Sequence, residues 1–445
     1  MILQHLGAEN CVTGSCHLLQ VKGLNIMVDC GLAQGRDPVL PMDDWPAAPA
    51  RVDFLFLTHA HIDHIGRVPE MIQKGFRGEI ICSHPTRALL YPMLADALKF
   101  SGLPEAGAHQ IQKTIDELSW GFEYGETFDL GRDIAFKLKR AGHILGSSCI
   151  RFEDTKTGWS VLFSGDLGAA DTPILPDPEP PETSDLVVME STYGDRLHGS
   201  REQRVGQLGR VLTRALADRG KVLIPAFSLG RTQELIYEMD RIFSDPRHRE
   251  RFPHLQAGER PPVFVDSPLG LEITRIYAGL SAYWDQEARE LLQRGDHPID
   301  FKGLYAVGNH ADHLRLCAAP GPAVILAGSG MCTGGRIIDH LKKGIAQPEN
   351  DIVFVGYQAA GTPGRTIQEY SQKPDGYVEL DGERRAIKAK VHTFGGYSAH
   401  ADQQGLVDWL ASMPAKPGAV KLVHGEAPAR QALAEVLRHR GYTVS

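Results

Sequence analysis

Thr58-His59-Ala60-His61-Ile62-Asp63-His64 closes the apolar run Val52–Thr58 (VDFLFLT). So dense a set of potential ligands cannot all enter a hydrophobic core. A turn at the end of a buried strand must therefore present them together. Imidazole nitrogen and carboxylate oxygen are ligands that zinc takes, at about 2.0–2.2 Å. His59 and His61, two residues apart, suit one ion, while Asp63 and His64 turn towards a second. The bland alternative is a polar surface loop with incidental histidines, which the density and placement of the ligands disfavour.

Other strand ends offer what this turn lacks. His143 lies in Ala141-Gly142-His143-Ile144-Leu145-Gly146, whose glycines permit close backbone approach. Asp166 follows an apolar run in Phe163-Ser164-Gly165-Asp166, a place for a carboxylate shared by two ions. His424 follows another in Val423-His424-Gly425-Glu426. Each alone reads more readily as structural; together they complete two sets. One is His59, His61, His143 and Asp166, and the other is Asp63, His64, His424 and the shared Asp166. Two divalent cations against Asp63, Asp166 and a hydroxide leave a positive centre. Phosphate diesters suit that charge better than neutral esters or lactams.

Working outward, a chain of 445 residues exceeds one ordinary core, so more than one domain is expected. Residues 1–195 carry short β-type runs, among them Gly23–Asp29, Glu79–Cys82, Ser160–Phe163 and Leu186–Met189. The proline-rich stretch Pro173–Pro181 reads as an extended surface linker. Residues 196–370 alternate instead. Helical patterns at Gln203–Asp218, Thr232–Phe243 and Gly335–Lys343 interleave with apolar runs at Lys221–Ala226, Pro262–Asp266, Ala323–Ala327 and Asp351–Gly356, which predicts a parallel sheet flanked by helices. Residues 371–445 return to short strands, with helices near Gln403–Ser412 and at the end.

A 42% hydrophobic and 23% charged composition is that of a soluble globular protein. No apolar run reaches the roughly 18–20 residues of a membrane span, and Met1–Leu6 does not open a signal peptide. The seven cysteines are scattered, with Cys30 and Cys82 inside apolar runs, a usage that fits reduced thiols in a cytoplasm. A net charge of −8 argues against coating of nucleic acid over a broad basic surface. A nucleic-acid substrate would be gripped locally.

His59-x-His61-x-Asp63-His64, with His143 and Asp166, resembles the signature of the metallo-β-lactamase superfamily. Asp29 matches that family's early acid, which orients the ligands from behind. Glu190-Ser191-Thr192-Tyr193-Gly194, Ser398-Ala399-His400-Ala401-Asp402 and Val423-His424-Gly425 resemble motifs A, B and C of the β-CASP nucleases. Pro225–Glu234 and Gly328–Arg336 also look like that lineage, in particular like bacterial and archaeal relatives of the endonuclease subunit of cleavage and polyadenylation specificity factor.

The resemblance implies an α/β fold, a metallo-β-lactamase αββα sandwich (1–195 and 371–445) with an inserted β-CASP domain (196–370) of mainly parallel sheet. It implies two Zn2+ per chain and hydrolysis of RNA by an endonuclease leaving 3′-hydroxyl and 5′-phosphate ends. A histidine at motif C, here His424, goes with RNA-cleaving members. Asp63, Glu190 and His400 become the catalytic set, His400 as a general acid held by Glu190. Arg231, Arg336 and Ser398 become phosphate contacts. RNA, single-stranded rather than duplex, is the implied partner, with no membrane, and homodimerisation stays open.

Three other readings remain: a hydrolase of a small ester or lactam, a DNA nuclease, and a noncatalytic scaffold. An insertion of about 175 residues is more than a small ligand needs, and a scaffold would be expected to lose ligands. His310 and His313, in Asn309-His310-Ala311-Asp312-His313, mimic a metal motif without a preceding apolar strand. They are expected in a loop, or as support behind other residues.

Overall fold

Strands that read as continuous apolar runs become the inner members of sheets, and those that alternate become strands with one wet face. Ser160–Phe163 is buried throughout. In Ile134–Arg140, Phe136 and Leu138 point inward while Lys137 and Lys139 are only half-buried. The computed structural model describes residues 1–99, 102–256, 259–394 and 397–445. It divides into two units. One comprises Met1–Asp171, Leu175–Leu197 and His400–Ser445; the other comprises Thr172–Ile174 and His198–Ala399.

The first unit holds two six-stranded sheets. One runs Ile2–Gly7, Cys16–Val21, Leu24–Val28, Phe54–Phe56, Glu79–Ser83, Ser119–Phe122, antiparallel at first and parallel from the third strand onward. The other runs Ala419–Val423, Leu186–Glu190, Ser160–Phe163, Ser148–Asp154, Ile134–Arg140, Thr127–Asp129, parallel over its first three strands and antiparallel after. Their inner faces share one core, in which Ile26, Phe56 and Ile81 meet Phe136, Phe152 and Phe163. Helices Gln403–Ala411 and Ala427–His439 cover the outer face of the second sheet through Leu406, Leu410, Leu433 and Leu437. Helices His84–Leu98 and Glu105–Leu118 pack on the first. This is the expected αββα sandwich.

The second unit is built on a six-stranded sheet in the order Leu304–Ala306, Val263–Val265, Ala323–Ala327, Lys221–Pro225, Asp351–Phe354, Lys390–Thr393, every pairing parallel. Parallel neighbours need crossovers, and helices such as Arg231–Ser244 and Arg336–Gly344 supply them. The expected parallel sheet is therefore present. Among the described residues no helix is long and apolar enough to cross a membrane.

Two local expectations are corrected. Pro173–Pro181 is not helical, as expected, but it is not a surface linker along its length: Ile174 and Leu175 are buried. The prolines keep the segment out of sheet pairing, yet its two aliphatic side chains still gain by leaving water. His310 and His313 do not lie in a loop. They open the helix His310–Ala318, whose N-cap Asn309 accepts the Asp312 amide at 2.9 Å.

The strand ends come together by close backbone approach. Ser15 N donates to Asp63 O and Gly31 N to Ser15 O, both at 2.8 Å. A Cβ on Gly31 would fall 1.6 Å from Asp63 O. Gly31→Ala must therefore displace the histidine turn. Overpacking of this kind costs about 1–3 kcal/mol. We expect the urea midpoint to fall accordingly, and an unchanged midpoint would show that the turn yields without strain.

Candidate metal centre

The turn after Phe54–Phe56 is held from behind by Asp29, which ends the neighbouring strand. Asp29 Oδ1 accepts the Thr58 amide at 2.8 Å, and Oδ2 accepts the Thr58 hydroxyl at 2.9 Å and Ser15 Oγ at 3.1 Å. Oδ2 also lies 2.7 Å from His64 Nδ1, which turns His64 Nε2 inward. Asp29 adopts a left-handed backbone with φ 60, as does His424 with φ 51. Such conformations in non-glycine residues persist where surrounding structure fixes them, often at functional sites. For His424 the fixing contacts are its amide donating to Ala8 O at 2.7 Å and Thr192 Oγ1, 3.1 Å from both its Nδ1 and its carbonyl.

Within the first unit the ligand atoms converge. His61 Nδ1 lies 3.1 Å from His59 Nε2 and 3.0 Å from His143 Nε2. Asp166 Oδ2 stands 3.6 Å and 3.5 Å from His59 and His143 Nε2. On the other side His64 Nε2 and His424 Nε2 are 3.2 Å apart. Asp166 Oδ2 is 3.3 Å from the former, Asp166 Oδ1 3.6 Å from the latter, and Asp63 Oδ2 3.8 Å from His424 Nε2. Asp166 thus stands between both groups. Of these residues, His59, His64, His143, Asp166 and His424 are buried.

Donors with nitrogen at about 2.0–2.1 Å around a tetrahedral cation sit about 3.3 Å from one another, close to the imidazole spacings here. Asp166 Oδ1 is buried without a hydrogen-bond partner among the described residues. A buried carboxylate oxygen left so is costly unless something positive meets it. The donor set therefore fits divalent metal. Burial, with neighbouring His64, holds His59 well below the ordinary histidine range. His64, despite burial, is lifted well above it by Asp166 and Asp29. Burial opposes charge on Asp166, but His424 and His64 hold its carboxyl well below the usual carboxylate range.

Beside this set, His400 Nδ1 lies 3.0 Å from Glu190 Oε2, and His400 Nε2 lies 3.8 Å from Asp166 Oδ2. Ala401 N donates to Leu167 O at 2.7 Å, which ties the His400 segment to the Asp166 loop. Burial would pull the His400 pKa down, but Glu190 and Asp166 raise it to about 9. His400 is thus placed as a protonated imidazolium facing the cluster.

The remaining sequence candidates lie in the second unit. Arg231 is buried and pairs with Glu234. Arg336 donates through Nη1 to Asp266 Oδ1 and Val307 O, both at 2.7 Å, and through Nη2 to Gly308 O at 3.0 Å. Both guanidinium groups are engaged within their own unit. Ser398 is buried near the unit's end. Sequence reasoning passed over the hydroxyls of Ser15, Thr58 and Thr192, which orient the ligand shell. A Ser or Thr within two residues of a strand end is the only signal they leave.

Residues 10–226 match the metallo-beta-lactamase superfamily, 232–367 the Beta-Casp domain, and 384–445 the Zn-dependent metallo-hydrolase RNA specificity domain. The chain is 38% identical over 439 residues to "Ribonuclease TTHA0252" of Thermus thermophilus, covering 99% of this chain and 96% of that one. It is 30% identical over 436 residues to "Transcription termination factor FttA" of Methanocaldococcus jannaschii, covering 95% and 66%. A crystal structure of a protein of unknown function from Enterococcus faecalis superposes with TM-score 0.56 at 13% identity, covering 99% of this chain and 96% of that one, a likeness of fold alone.

Asp29→Asn keeps the shape and tolerates φ 60 but removes the charge behind His64. Loss of such an orienting partner typically weakens metal affinity about 10–100-fold. Competition against a fluorescent chelator should show that loss, and equal affinities would remove Asp29 from the ligand-orienting role.

Proposed function

This chain belongs to the metallo-β-lactamase superfamily and its β-CASP branch, and from that premise we propose a two-zinc centre that cleaves RNA internally, leaving 3′-hydroxyl and 5′-phosphate ends. The protein is a metal-dependent nuclease acting on RNA. The reading of its centre is carried by one observation: the imidazoles of His59, His61, His143, His64 and His424 gather about Asp166 with His400 beside them.

In this reading His59, His61 and His143 would hold one ion and Asp63, His64 and His424 the other, with Asp166 available to both. Bound there, two divalent ions would supply water of near-neutral pKa and positive charge against a phosphodiester. The chain's own residues do the rest. His400 Nε2, on the ring face turned to Asp166, holds the proton that the departing ribose oxygen needs. Glu190 holds that ring through Nδ1 and keeps it charged. We take phosphodiesters of single-stranded RNA as the substrate class; a net charge of −8 argues against coating of duplex over a broad surface and favours a local grip near the centre. Seven free cysteines suit a reducing compartment such as the cytoplasm.

End-labelled RNA, matched DNA and a chromogenic lactam, each offered to purified zinc-loaded protein, test the reading. Internal RNA cleavage with 5′-phosphate ends is expected; preference for the DNA or the lactam would replace it. His400→Ala should lower kcat about 10²–10⁴-fold at unchanged zinc content. Because Glu190 beside His400 favours its charged form, the wild-type rate should fall on the alkaline side, where that proton is lost. That limb should vanish in the variant. A limb that persists would assign the proton to another group.

A further inference from the structure

A second set of metal-ligating side chains lies in the other unit, at the carboxyl end of its parallel sheet. Asp266 follows the strand Val263–Val265, and its amide donates to Leu326 O at 2.8 Å. His313 and Cys317 stand one turn apart on the helix His310–Ala318, and His340 lies on the helix Arg336–Gly344. All four side chains are buried: Asp266 and His313 at 0%, His340 at 2% and Cys317 at 5% exposure. None belongs to the centre described above.

The orientation of the two rings is informative. Asp266 Oδ2 meets His313 Nδ1 at 2.6 Å and His340 Nε2 at 2.7 Å. It therefore engages a different nitrogen in each ring. In each ring the other nitrogen is nearer sulfur by a small margin: Cys317 Sγ is 3.7 Å from His313 Nε2 against 3.9 Å from its Nδ1, and 3.5 Å from His340 Nδ1 against 3.8 Å from its Nε2, so binding an ion requires the thiol to turn outward from the rings. A tetrahedral zinc with nitrogen at about 2.0–2.1 Å and sulfur at about 2.3 Å places N and S about 3.6 Å apart. The rings meet edge to face with centroids 5.3 Å apart, close to the 4.9 Å between His59 and His143.

We infer that His313, Cys317 and His340 form a further zinc-type site, with Asp266 as the carboxylate that fixes both imidazoles from behind. The arrangement repeats the device seen at Asp29 and His64, a carboxylate on one nitrogen that presents the other. A His2Cys set leaves a fourth position. Asp339 Oδ2, 3.1 Å from His313 Nε2 and half-exposed, stands beside it, as does solvent. Asp266 Oδ1 also holds Arg336, so an ion here would brace the start of the helix that follows the glycine-rich loop Gly328–Gly335. Its role is structural: it pins two crossover helices to a strand end and performs no reaction.

Sulfur makes the test specific, because the ligand set around Asp166 contains none. Full-length protein stripped by chelator and refilled with Co2+ alone should show sulfur-to-cobalt charge-transfer absorption in the near ultraviolet. Cys317→Ser should abolish that band and lower tightly held metal by one equivalent per chain. His340→Gln, which keeps a polar group beside Asp266, should do the same, with circular dichroism verifying that each variant is folded. Absence of the band in wild-type protein would overturn the proposal without recourse to any variant. So would a band that survives Cys317→Ser. Neither readout uses RNA cleavage, so the result stands apart from the fate of the Asp166 centre.

Discussion

Imidazole lone pairs do not face one another across 3.0–3.2 Å in a buried site without something between them or a proton shared. Around Asp166 that juxtaposition occurs at His59–His61, His61–His143 and His64–His424. The constraint it sets is electrostatic: the rings can crowd together only against compensating charge. Much of the first unit is arranged to hold this crowd in place. Ser15 ties the neighbouring strand to Asp63 O, and Asp29 ties two more strand ends to the same turn. A sandwich core of interlocking aromatics keeps those strand ends from drifting.

Local strain follows from that arrangement. Asp29 and His424 take left-handed backbone conformations that most side chains avoid. Gly168 has no room for a side chain, since a Cβ would fall 2.1 Å from Gly142 O. The same approach brings the Asp166 loop against both the His143 loop and the segment that carries His400. The sheet ends therefore act as rigid mounts, and the ligands sit on short connections between them.

Much of this was legible beforehand because it has period and chemistry. Apolar runs marked the strands of both parallel regions, and ligand-type residues placed directly after them marked the turn, His143, Asp166 and His424. What lacked such a signature was missed. Thr58, Ser15 and Thr192 act through one hydroxyl each, and a hydroxyl near a strand end has no characteristic spacing. The His313 cluster was hidden because Asp266 and His340 are 74 residues apart in sequence and Cys317 stands alone. A place at the end of a glycine-rich loop suggested Arg336 as a phosphate contact. Its actual partner, Asp266, lies 70 residues away and could not be seen from the motif.

Carboxylates of one chemical kind take different parts here, and their remaining acceptor capacity tells them apart. Glu190 also lies within reach of Asp166 and His400, close enough to be counted as a ligand. Yet its Oε1 accepts the Leu167 amide at 2.6 Å and its Oε2 the Thr192 amide at 3.3 Å, and both oxygens meet His400 Nδ1. Asp29 is likewise taken up on both oxygens. Carboxylates so occupied have little lone-pair density to give a cation and serve to orient imidazole. Asp166 is the opposite case: Oδ1 is buried, without a hydrogen bond among the described residues, and faces His424. The same criterion, applied to the second unit, makes Asp266 an orienting group, because Arg336, His313 and His340 already use both of its oxygens. An ion there must be sought at the ring nitrogens that Asp266 leaves unused, His313 Nε2 and His340 Nδ1, which lie 3.7 Å and 3.5 Å from Cys317 Sγ.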